Sequence, residues 1–454
     1  MFISPHPARR RRVLVLATAA VVGATALAAC GSGEDVAAPG AGASGAAGSA
    51  GSGGITVWVD ASRAPAAEAF LAANPDADVE VVSYDGSANG SDTFKTRMNL
   101  YDQAGEGWPD VVFSTQNNDA SWASQATPGN EPFAAVLDDG LVDPEVLEGF
   151  TEGSLDPCTV EGQVYCLRND LAQVVLWYDQ QLMDDLGYEV PTTWEEYVEL
   201  SGRVAAENPG VITGSVGDAW TPEVFMWGSR CPANQVTGPR SISVDATAAE
   251  CVRAAEVIDA GVADGSLTTL SVFAPEFVQE YSEKVLMMPG PAWFAGAIFN
   301  NPDSLALPEG RLGVAAPLPW EGEEAVTGNV GGGTWFVSSH SENPELAADF
   351  VEFVTTDDAY QVEQAPGYPA YAPAAEKWLA QQEESGYYAT DLSALTEAGS
   401  VIWDGWGAPA FSQEAVWADT MTPLVTAGGS VVDNLDTWGE AIRNEAQVNG
   451  YTVE

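Results

Sequence analysis

The chain has 454 residues, of which 66 are acidic and 16 are basic, and its formal net charge at pH 7 is −50. This balance argues against nucleic acid binding, which needs cationic groups to neutralise phosphates, and it opposes direct attraction to anionic lipid head groups. The hydrophobic content of 46% supplies material for packed cores, and roughly 400 folded residues predict two domains.

The first 30 residues have the pattern of an export signal. Arg9 to Arg12 form a positive segment, Val13 to Val22 are almost entirely apolar, and the run ends in Leu27-Ala28-Ala29-Cys30. The apolar run is short for a membrane span, and its ending resembles the bacterial lipobox, in which the cysteine thiol is acylated. We therefore predict a lipoprotein signal peptide at residues 1–29 and lipidation of Cys30. An ordinary signal peptide with a chance cysteine is the alternative, and the export route, Sec or Tat, stays open.

Residues 31–54 are nearly all Gly, Ala and Ser. Such a segment buries too little apolar surface to offset the entropy that it would lose on ordering. We expect residues 30–54 to be the lipidated cysteine and a flexible tether, with order beginning at Ile55. The lipid would hold the protein on the extracytoplasmic face of the cell membrane.

Four cysteines remain besides Cys30, and they permit three pairings. Two short strands around a turn would bring the first two together, so we predict the local pairing, Cys158–Cys166 and Cys231–Cys251. Free buried cysteines are the alternative, less expected outside a reducing compartment. No metal site is predicted, because His340 is the only histidine after Cys30 and no C-x₂-C pair occurs.

From Ile55 onward, strand and helix patterns alternate. The predicted elements are, in order, a strand at Ile55 to Val59, a helix at Ala64 to Ala73, a strand at Val79 to Val82, a helix at Thr93 to Gln103 and a strand at Asp110 to Phe113. This order predicts a doubly wound α/β lobe with parallel strands. Ligands of such lobes collect beyond the carboxyl ends of the strands. The residues found there are Asp60, Ser62, Arg63, Gln116, Asn117 and Asn118.

A second lobe is predicted from Leu171, with a buried strand at Val174 to Tyr178. Thr193-Trp-Glu-Glu196 predicts a capping box, in which the hydroxyl accepts from the last backbone N–H and the glutamate reaches back. Asn343-Pro344 predicts the capped start of another helix. The inner face of that helix repeats every four residues, at Leu346, Phe350 and Val354.

Several further motifs follow one another along the chain. They are Trp108-Pro-Asp-Val-Val-Phe113, Gly162-Gln-Val-Tyr165, Val175-Leu-Trp-Tyr-Asp179, Pro191-Thr-Thr-Trp-Glu195, Lys284-Val-Leu-Met-Met288, Gly290-Pro-Ala-Trp293, Gly331-Gly-Gly333, and Asn343-Pro-Glu-Leu-Ala347 with Phe350. Each motif alone is weak. Together, in this order across residues 55 to about 440, they resemble the maltose-binding-protein-like family, the extracellular solute-binding proteins of family 1.

The resemblance implies two doubly wound α/β lobes joined by crossing hinge segments, the type II periplasmic-binding fold, with the ligand in the cleft between them. The crossings would lie near Asn169 to Gln173, Val326 to Val330 and Tyr371 to Pro373. The N-terminal lobe would comprise residues 55–170 and 327–372, and the C-terminal lobe residues 171–326 and 373–454.

The resemblance also implies the function. The lobes would close around a carbohydrate, and the closed form would dock on the permease subunits of an ABC importer. The number of aromatic residues favours an oligosaccharide. We expect a monomer that performs no chemistry, is not an enzyme and needs no cofactor.

A sugar-binding cleft needs aromatic plates for flat C–H faces and amides or carboxylates for hydroxyls. Trp293 corresponds, by the resemblance, to the family's stacking tryptophan and is the leading candidate. The other aromatic candidates are Trp122, Trp220, Trp227, Trp335, Tyr368, Trp403 and Trp406. The polar candidates are Asp60, Arg63 and Asn117, with a helix cap as the alternative for Asp60 and a salt bridge for Arg63. Trp58, Trp177 and Trp194 lie inside regular elements and are predicted to pack in the core.

Two rival functions remain open. The first is a binding protein for another solute, such as a polyamine or a peptide, and polyamine binding would suit the acidity. The second, less favoured, is a secreted glycoside hydrolase with two catalytic carboxylates. With 66 acids in the chain, carboxylate pairs occur by chance, and no G-x-S-x-G motif is present.

Overall fold

A computed structural model describes residues 53–84, 91–127 and 129–454. The predicted signal peptide, Cys30 and nearly all of the predicted tether lie outside the described residues. Within the described part of the chain, no helix is both long enough and apolar enough to cross a membrane.

Strands and helices alternate at the start of the described chain, whereas β4 to β8 and α12 to α16 follow one another without alternation. The strands are β1 (Ile55–Val59), β2 (Val79–Ser83), β3 (Val111–Ser114), β4 (Thr159–Val160), β5 (Gln163–Val164), β6 (Leu167–Arg168), β7 (Asp170–Leu171), β8 (Val174–Asp179), β9 (Gly214–Ser215), β10 (Gln235–Gly238), β11 (Ser241–Ser243), β12 (Leu267–Thr268), β13 (Met287–Pro291), β14 (Leu312–Ala315), β15 (Thr334–Val337), β16 (Tyr368–Pro369) and β17 (Thr452–Val453).

The α-helices vary from one turn to four. They are α1 (Ala64–Ala73), α2 (Ser91–Ala104), α3 (Ala120–Ala123), α4 (Pro144–Glu148), α5 (Gln180–Leu186), α6 (Trp194–Glu207), α7 (Thr221–Phe225), α8 (Ala249–Asp264), α9 (Pro275–Tyr281), α10 (Pro344–Thr356), α11 (Asp358–Gln361), α12 (Ala372–Glu384), α13 (Ser393–Gly399), α14 (Gln413–Thr420), α15 (Thr422–Thr426) and α16 (Leu435–Val448).

The first lobe is built on a five-stranded sheet with the order β2-β1-β3-β15-β6. β1 pairs in parallel with β2 and with β3, as predicted. β15 and β6 extend the sheet with antiparallel pairing, which the sequence pattern did not reveal. Every residue of β1 is buried, and Phe70 of α1 packs on Phe350 of α10 beneath the sheet. The carboxyl ends of β1 and β3 therefore lie at one edge.

The second lobe is built on a three-stranded sheet with the order β13-β8-β14. All six residues of β8 are buried, so the predicted strand is confirmed and is one residue longer. Its neighbours are antiparallel, whereas β9 and β12 pair in parallel beside them. The α/β class is confirmed, with mixed rather than purely parallel pairing in this lobe. Trp177 is fully buried in β8 and Trp194 packs at the start of α6, as predicted for core residues.

The two sheets are connected where the chain passes between them around Ala172 and Asn329. The Ala172 N–H donates to Asn329 Oδ1 at 2.9 Å, and the Val330 N–H donates to the Ala172 carbonyl at 3.0 Å. A third passage pairs β16 with β7. The first two passages fall within the predicted crossings near Asn169 to Gln173 and Val326 to Val330, and β16 ends two residues before the third. The lobe boundaries given above stay a proposal.

Gly331-Gly-Gly333 belongs to the second passage. Gly331 and Gly332 have φ values of +75° and +81°, which side chains disfavour. A Cβ on Gly333 would come within 2.2 Å of the Phe113 ring. The glycines therefore let the backbone pass close to the carboxyl end of β3.

Both predicted disulfides are present. Cys158–Cys166 closes the β4–β5 hairpin with a Cα–Cα distance of 5.1 Å, and Cys231–Cys251 ties the start of α8 to the segment before β10 at 4.5 Å. Each pair is buried in one lobe, so the bonds stabilise the lobes separately.

The helix-cap predictions had different outcomes. The Thr193 hydroxyl accepts from the Glu196 N–H at 3.2 Å, as predicted, and the Glu196 carboxylate reaches back one residue further, to the N–H of Thr192. Helix α10 begins at Pro344 with Asn343 at its N-cap, as predicted, but the Asn343 side chain does not cap it. Asn343 Nδ2 donates instead to the Gly54 carbonyl at 2.9 Å. That bond fixes α10 against the entry to β1.

Candidate functional site

A cavity of about 560 Å³ lies at the carboxyl edge of the first sheet and opens between the lobes. Its described lining residues come from both lobes and from the glycine passage. They are Asp60, Ala61, Ser62, Arg63, Ser83, Tyr84, Thr115, Gln116, Asp170, Trp220, Phe273, Trp293, Ala297, Val330, Gly331, Gly332, Gly333, Pro366 and Glu414.

The first-lobe wall is polar. Asp60 directly follows buried β1, and its carboxylate accepts from the Arg63 N–H at 3.0 Å and from Arg63 Nη1 at 3.3 Å. The guanidinium lies 4.7 Å from the centroid of the Phe113 ring. Arg63 is therefore held in place by a carboxylate on one side and an aromatic face on the other.

Gln116 forms the part of this wall that follows β3. Its N–H donates to Ser114 Oγ at 3.1 Å, and its carbonyl accepts from Thr334 Oγ1 at 3.1 Å. The side-chain Nε2 donates across the lobes to Glu414 Oε2 at 3.4 Å. The backbone of this loop is thus fixed by the first lobe, while its amide reaches the second.

The second-lobe wall is aromatic. Trp293 is stacked on Phe273 with ring centroids 6.0 Å apart and an interplanar angle of 8°, and Trp220 meets Trp293 edge-on at 5.9 Å. Phe273 is 58% exposed, although large apolar side chains seldom face water without a reason. The three rings form one continuous apolar surface.

The aromatic wall is positioned by hydrogen bonds that cross long sequence distances. Buried Asp218 accepts from Ser271 Oγ at 2.5 Å and from the Val272 N–H at 3.0 Å, which ties the loop of Phe273 to the loop of Trp220. Burial raises the pKa of Asp218, and these two hydrogen bonds oppose the rise. Trp293 Nε1 donates to the Val330 carbonyl at 3.0 Å. A π-helical turn, Ala295–Phe299, begins two residues later, and such turns recur at functional sites.

A carboxyl pair lies at the back of the cavity. Glu414, in the first turn of α14, and Glu223, in α7, are both buried and share a hydrogen bond. Burial raises the pKa of Glu414 to about 7, with Gln116 and Glu223 opposing the rise and Asp119 adding to it. Burial and the facing Glu414 raise the pKa of Glu223 well above its ordinary value. The pair therefore holds a proton at neutral pH.

Four of the predicted ligand residues line this cavity: Asp60, Arg63, Trp220 and Trp293. Two of the others lie in the first lobe, Trp335 fully buried and Trp122 partly buried. Trp335 is 0% exposed, packs on Phe113 and donates through Nε1 to Asn169 Oδ1. Trp122 packs edge-on against Phe94. Neither Trp335 nor Trp122 is among the described lining residues of this cavity, and their role at the ligand stays a prediction.

The remaining candidates also lie away from the lining. Trp227 and Trp406 stack on each other at 5.5 Å, and Trp227 Nε1 donates to the Trp403 carbonyl. The Trp403 ring covers Gly405. Tyr368 is buried with its hydroxyl against Thr396, and Asn117 is buried with Nδ2 3.5 Å from the Asn329 carbonyl. None of these five residues is among the described lining residues of this cavity, and their roles at the ligand stay predictions.

Sequence reasoning missed Phe273, Asp170 and Glu414 as lining residues. Phe273 and Glu414 lie outside every motif noted above, and Glu414 was one acid among many. Gln116 could be predicted from the sequence, because it follows the third strand at the edge of the sheet where ligands are expected. No group of three or more His, Cys, Asp or Glu side chains suited to hold a metal ion occurs in the described part of the chain.

The fold and the site together define a two-lobed binding protein with an interlobe cleft. Residues 55–361 match the bacterial extracellular solute-binding protein family. The chain belongs to this family.

Relatives and solved structures agree with that membership. A lactose-binding protein of Rhizobium radiobacter is 24% identical over 319 residues, which are 67% of this chain and 71% of that protein. The galacto-N-biose-/lacto-N-biose I-binding protein of Bifidobacterium longum, solved in complex with lacto-N-biose, has a TM-score of 0.72 at 20% identity. The matched region covers 88% of this chain and 98% of that chain.

A further solved structure has the same fold. The ABC transporter associated binding protein from B. animalis subsp. lactis Bl-04, solved in complex with β-1,6-galactobiose, has a TM-score of 0.71 at 19% identity. The matched region covers 88% of this chain and 99% of that chain. These likenesses confirm the predicted fold, the type II periplasmic-binding arrangement of two α/β lobes.

Proposed function

We propose that this solute-binding protein captures a carbohydrate, in particular a short oligosaccharide, and delivers it to an ABC importer. The observation that carries the proposal is the pairing of two unlike walls across one cavity. Phe273, Trp293 and Trp220 form an apolar plate, and Asp60, Arg63 and Gln116 supply acceptors and donors opposite it.

The chemistry of a sugar matches this pairing. A pyranose ring has flat C–H faces that pack on aromatic rings, and its rim of hydroxyls needs hydrogen-bond partners. Hydrogen bonds to charged groups such as Asp60 and Arg63 are among the stronger ones. The volume of about 560 Å³ falls in the range of roughly 300–1,000 Å³ that small-molecule sites occupy.

Closure of the two lobes around the ligand supplies the mechanism of capture. Asn118 Nδ2 donates to the carbonyls of Pro409 and Phe411 at 2.7 and 2.9 Å, and Ser121 Oγ donates to the Ala408 carbonyl at 2.5 Å. These bonds join the loop after β3 to the segment before α14, so they form when the lobes come together. A ligand that contacts both walls favours the closed form by its differential affinity.

The names of the relatives support the choice of ligand class. One relative is a lactose-binding protein, and two solved structures of the same fold hold disaccharides. Two of these three are ABC transporter binding proteins by name, which supports permease subunits as the partner.

The location and the oligomeric state follow from the same proposal. Membership in an extracellular solute-binding family supports a location outside the cytoplasm. We further propose lipid attachment at Cys30 through the tether of residues 30–54, removal of residues 1–29, and a monomer as the working unit. Mass spectrometry of the membrane-extracted protein, which would find a diacylglyceryl group on an N-terminal Cys30, tests the anchor.

The experiment for the ligand class is calorimetric titration of the chain from residue 31 onward with mono- and oligosaccharides, alongside spermidine and short peptides. Saturable binding of a sugar without product formation supports the proposal. Tight spermidine or peptide binding with indifference to every sugar would replace it with one of the rival solutes. Release of product from any glycan would favour the hydrolase, although Glu223 and Glu414 share a hydrogen bond and so lie closer than the roughly 5 Å of retaining pairs.

A further inference from the structure

The back of the cavity combines two buried acids from different helices with an amide from the opposite lobe. Glu414 lines the cavity, accepts from Gln116 Nε2 at 3.4 Å and shares a hydrogen bond with Glu223. The other Glu223 oxygen, Oε2, is buried and has no hydrogen-bond partner among the described residues. This back wall therefore contains carboxyl groups without a cation bound to them.

The cations around the cavity are already neutralised. Arg63 is the one cationic side chain among the described lining residues, and it is paired with Asp60 at 3.3 Å. Arg168 is fully buried behind Gly332, donates to the carbonyls of Asp170 and Gly331, and faces the Asp170 carboxylate.

The nearest charges beyond the back wall are also paired. Asp119 acts on Glu414 electrostatically, and Lys95 Nζ lies 3.0 Å from Asp119 Oδ1. A ligand that brought a carboxylate or a phosphate into this cavity would thus find no uncompensated cation among the described residues. Burying an unpaired charge is unfavourable enough to abolish the binding of a small ligand.

The protonation state of the back wall also disfavours a negatively charged ligand. Burial raises the pKa of the Glu414 carboxyl to about 7 because the surroundings disfavour a negative charge there. A ligand carboxylate against that wall would meet the same low polarity, and above neutral pH it would also meet the ionised Glu414. A hydroxyl or an amine would instead find an acceptor.

We propose that the cleft discriminates against acidic saccharides in favour of uncharged ones, and that Glu414 is the residue that determines this specificity. The inference rests on the proposed function, since it assumes that the cavity takes a sugar. It goes further in naming which class of sugar the cavity rejects and which side chain is responsible.

The test uses pairs of sugars that differ only at C6. The probes are glucose with glucuronic acid, galactose with galacturonic acid, and lactose with the lactose derivative that is oxidised at C6 of its galactose. Calorimetry, with the acidic member also titrated as a competitor, gives the ratio of the two dissociation constants from pH 5.5 to 8.5. The sugar acids stay ionised over this range, so a change in the ratio reports on the protein.

The proposal expects the acidic member to bind at least about tenfold more weakly at pH 8.5, with a smaller ratio at pH 5.5. Glu414→Gln should lower the ratio at pH 8.5 and remove most of its pH dependence. Because the ratio compares two sugars on the same variant, a loss of affinity that is common to both sugars does not change it. Glu223→Gln is a second variant that retains the shape of the pair. Glu440→Gln, on the exposed face of α16, is the matched control and should behave as the unmodified chain does.

Three results would count against these claims in distinguishable ways. Equal or tighter binding of the acidic member overturns the discrimination. An unchanged ratio in both Glu414→Gln and Glu223→Gln overturns the role of the back wall. Failure of every saccharide in the titration overturns the proposed function itself.

Discussion

The two walls of the cleft differ in how they are assembled. The aromatic wall is complete within the second lobe, because Trp220, Phe273 and Trp293 contact one another and Asp218 ties their loops together. The polar wall is anchored in the first lobe, but Gln116 finds its side-chain partner in the other lobe. The aromatic wall is therefore held together within one lobe, whereas the polar wall includes a contact between the lobes.

This difference suggests that the two walls have different roles in ligand binding. An apolar plate held together within one lobe can bind a sugar face in the open form with little loss of conformational entropy. Groups that find partners only across the cleft stabilise the closed form, and they make closure sensitive to what the ligand offers. Substitutions in the aromatic wall should thus act on affinity directly, and substitutions at the back wall should act through charge and closure.

The largest expected effect concerns Trp293. Trp293→Ala removes the ring that contacts both Phe273 and Trp220, and we expect it to weaken sugar binding by about 2–4 kcal/mol, the range of a binding hot spot. Calorimetry with the sugar identified in the first titration measures this loss.

Trp108→Ala is the control for this prediction. Trp108 is also half-buried and also donates through Nε1, in its case to Asp102 at 2.9 Å, but it lies outside the cavity. If the two variants lose affinity equally, the aromatic wall is not the binding surface and the contrast between the walls fails.

The next effect concerns the pH dependence of stability. The pKa of Glu414 is raised from an ordinary 4.5 to about 7, so the folded state binds more protons than the unfolded state between these values. The contribution of Glu414 to stability therefore falls as the pH rises from about 4.5 to about 7 and is constant above that range. Glu414→Gln should remove this fall and make the chain more stable than the unmodified protein at pH 8, by at most about 3 kcal/mol.

Urea unfolding at pH 5 and pH 8 checks that prediction. The difference in unfolding free energy between Glu414→Gln and the unmodified chain should be clearly larger at pH 8 than at pH 5. Glu440→Gln reports the effect of removing a solvated charge and should show no such pH dependence. An equal difference at both pH values would mean that Glu414 is ionised throughout, and the back wall would then be as polar as the wall at Asp60.

The two walls also differ in how well the sequence predicted them. Asp60 and Arg63 follow a buried strand, and Trp293 lies in a recognisable motif, so local pattern was enough for these residues. Trp227 and Trp406 stack on each other across 179 positions of the chain, a contact that no local pattern reveals. Phe273 was missed for a related reason, since its loop is set by a hydrogen bond from Ser271 to Asp218, 53 residues earlier.

Substitution of Asp60 tests whether the polar wall contributes to sugar binding. Asp60→Asn keeps the shape and one acceptor oxygen but removes the charge that holds Arg63 at 3.3 Å. Because hydrogen bonds to charged groups contribute roughly 1.5–3 kcal/mol against about 1 for neutral ones, we expect a loss of sugar affinity of about 1–2 kcal/mol. Asp358→Asn, which breaks the exposed pair with Lys377, is the control, and a comparable loss there would contradict a role for Asp60 at the ligand.

The smallest expected effect, on Phe273, is the sharpest test of the aromatic wall. Phe273→Ala should weaken sugar binding by about 0.5–1.5 kcal/mol, the contribution typical of one aromatic contact, and should leave the unfolding free energy nearly unchanged because the ring is 58% exposed. Leu100→Ala, at 57% exposure on α2, is the matched control for removing an exposed apolar side chain. If Phe273→Ala lowers stability without lowering affinity, the ring supports the loop rather than the ligand, and the plate that faces the sugar reduces to Trp220 and Trp293.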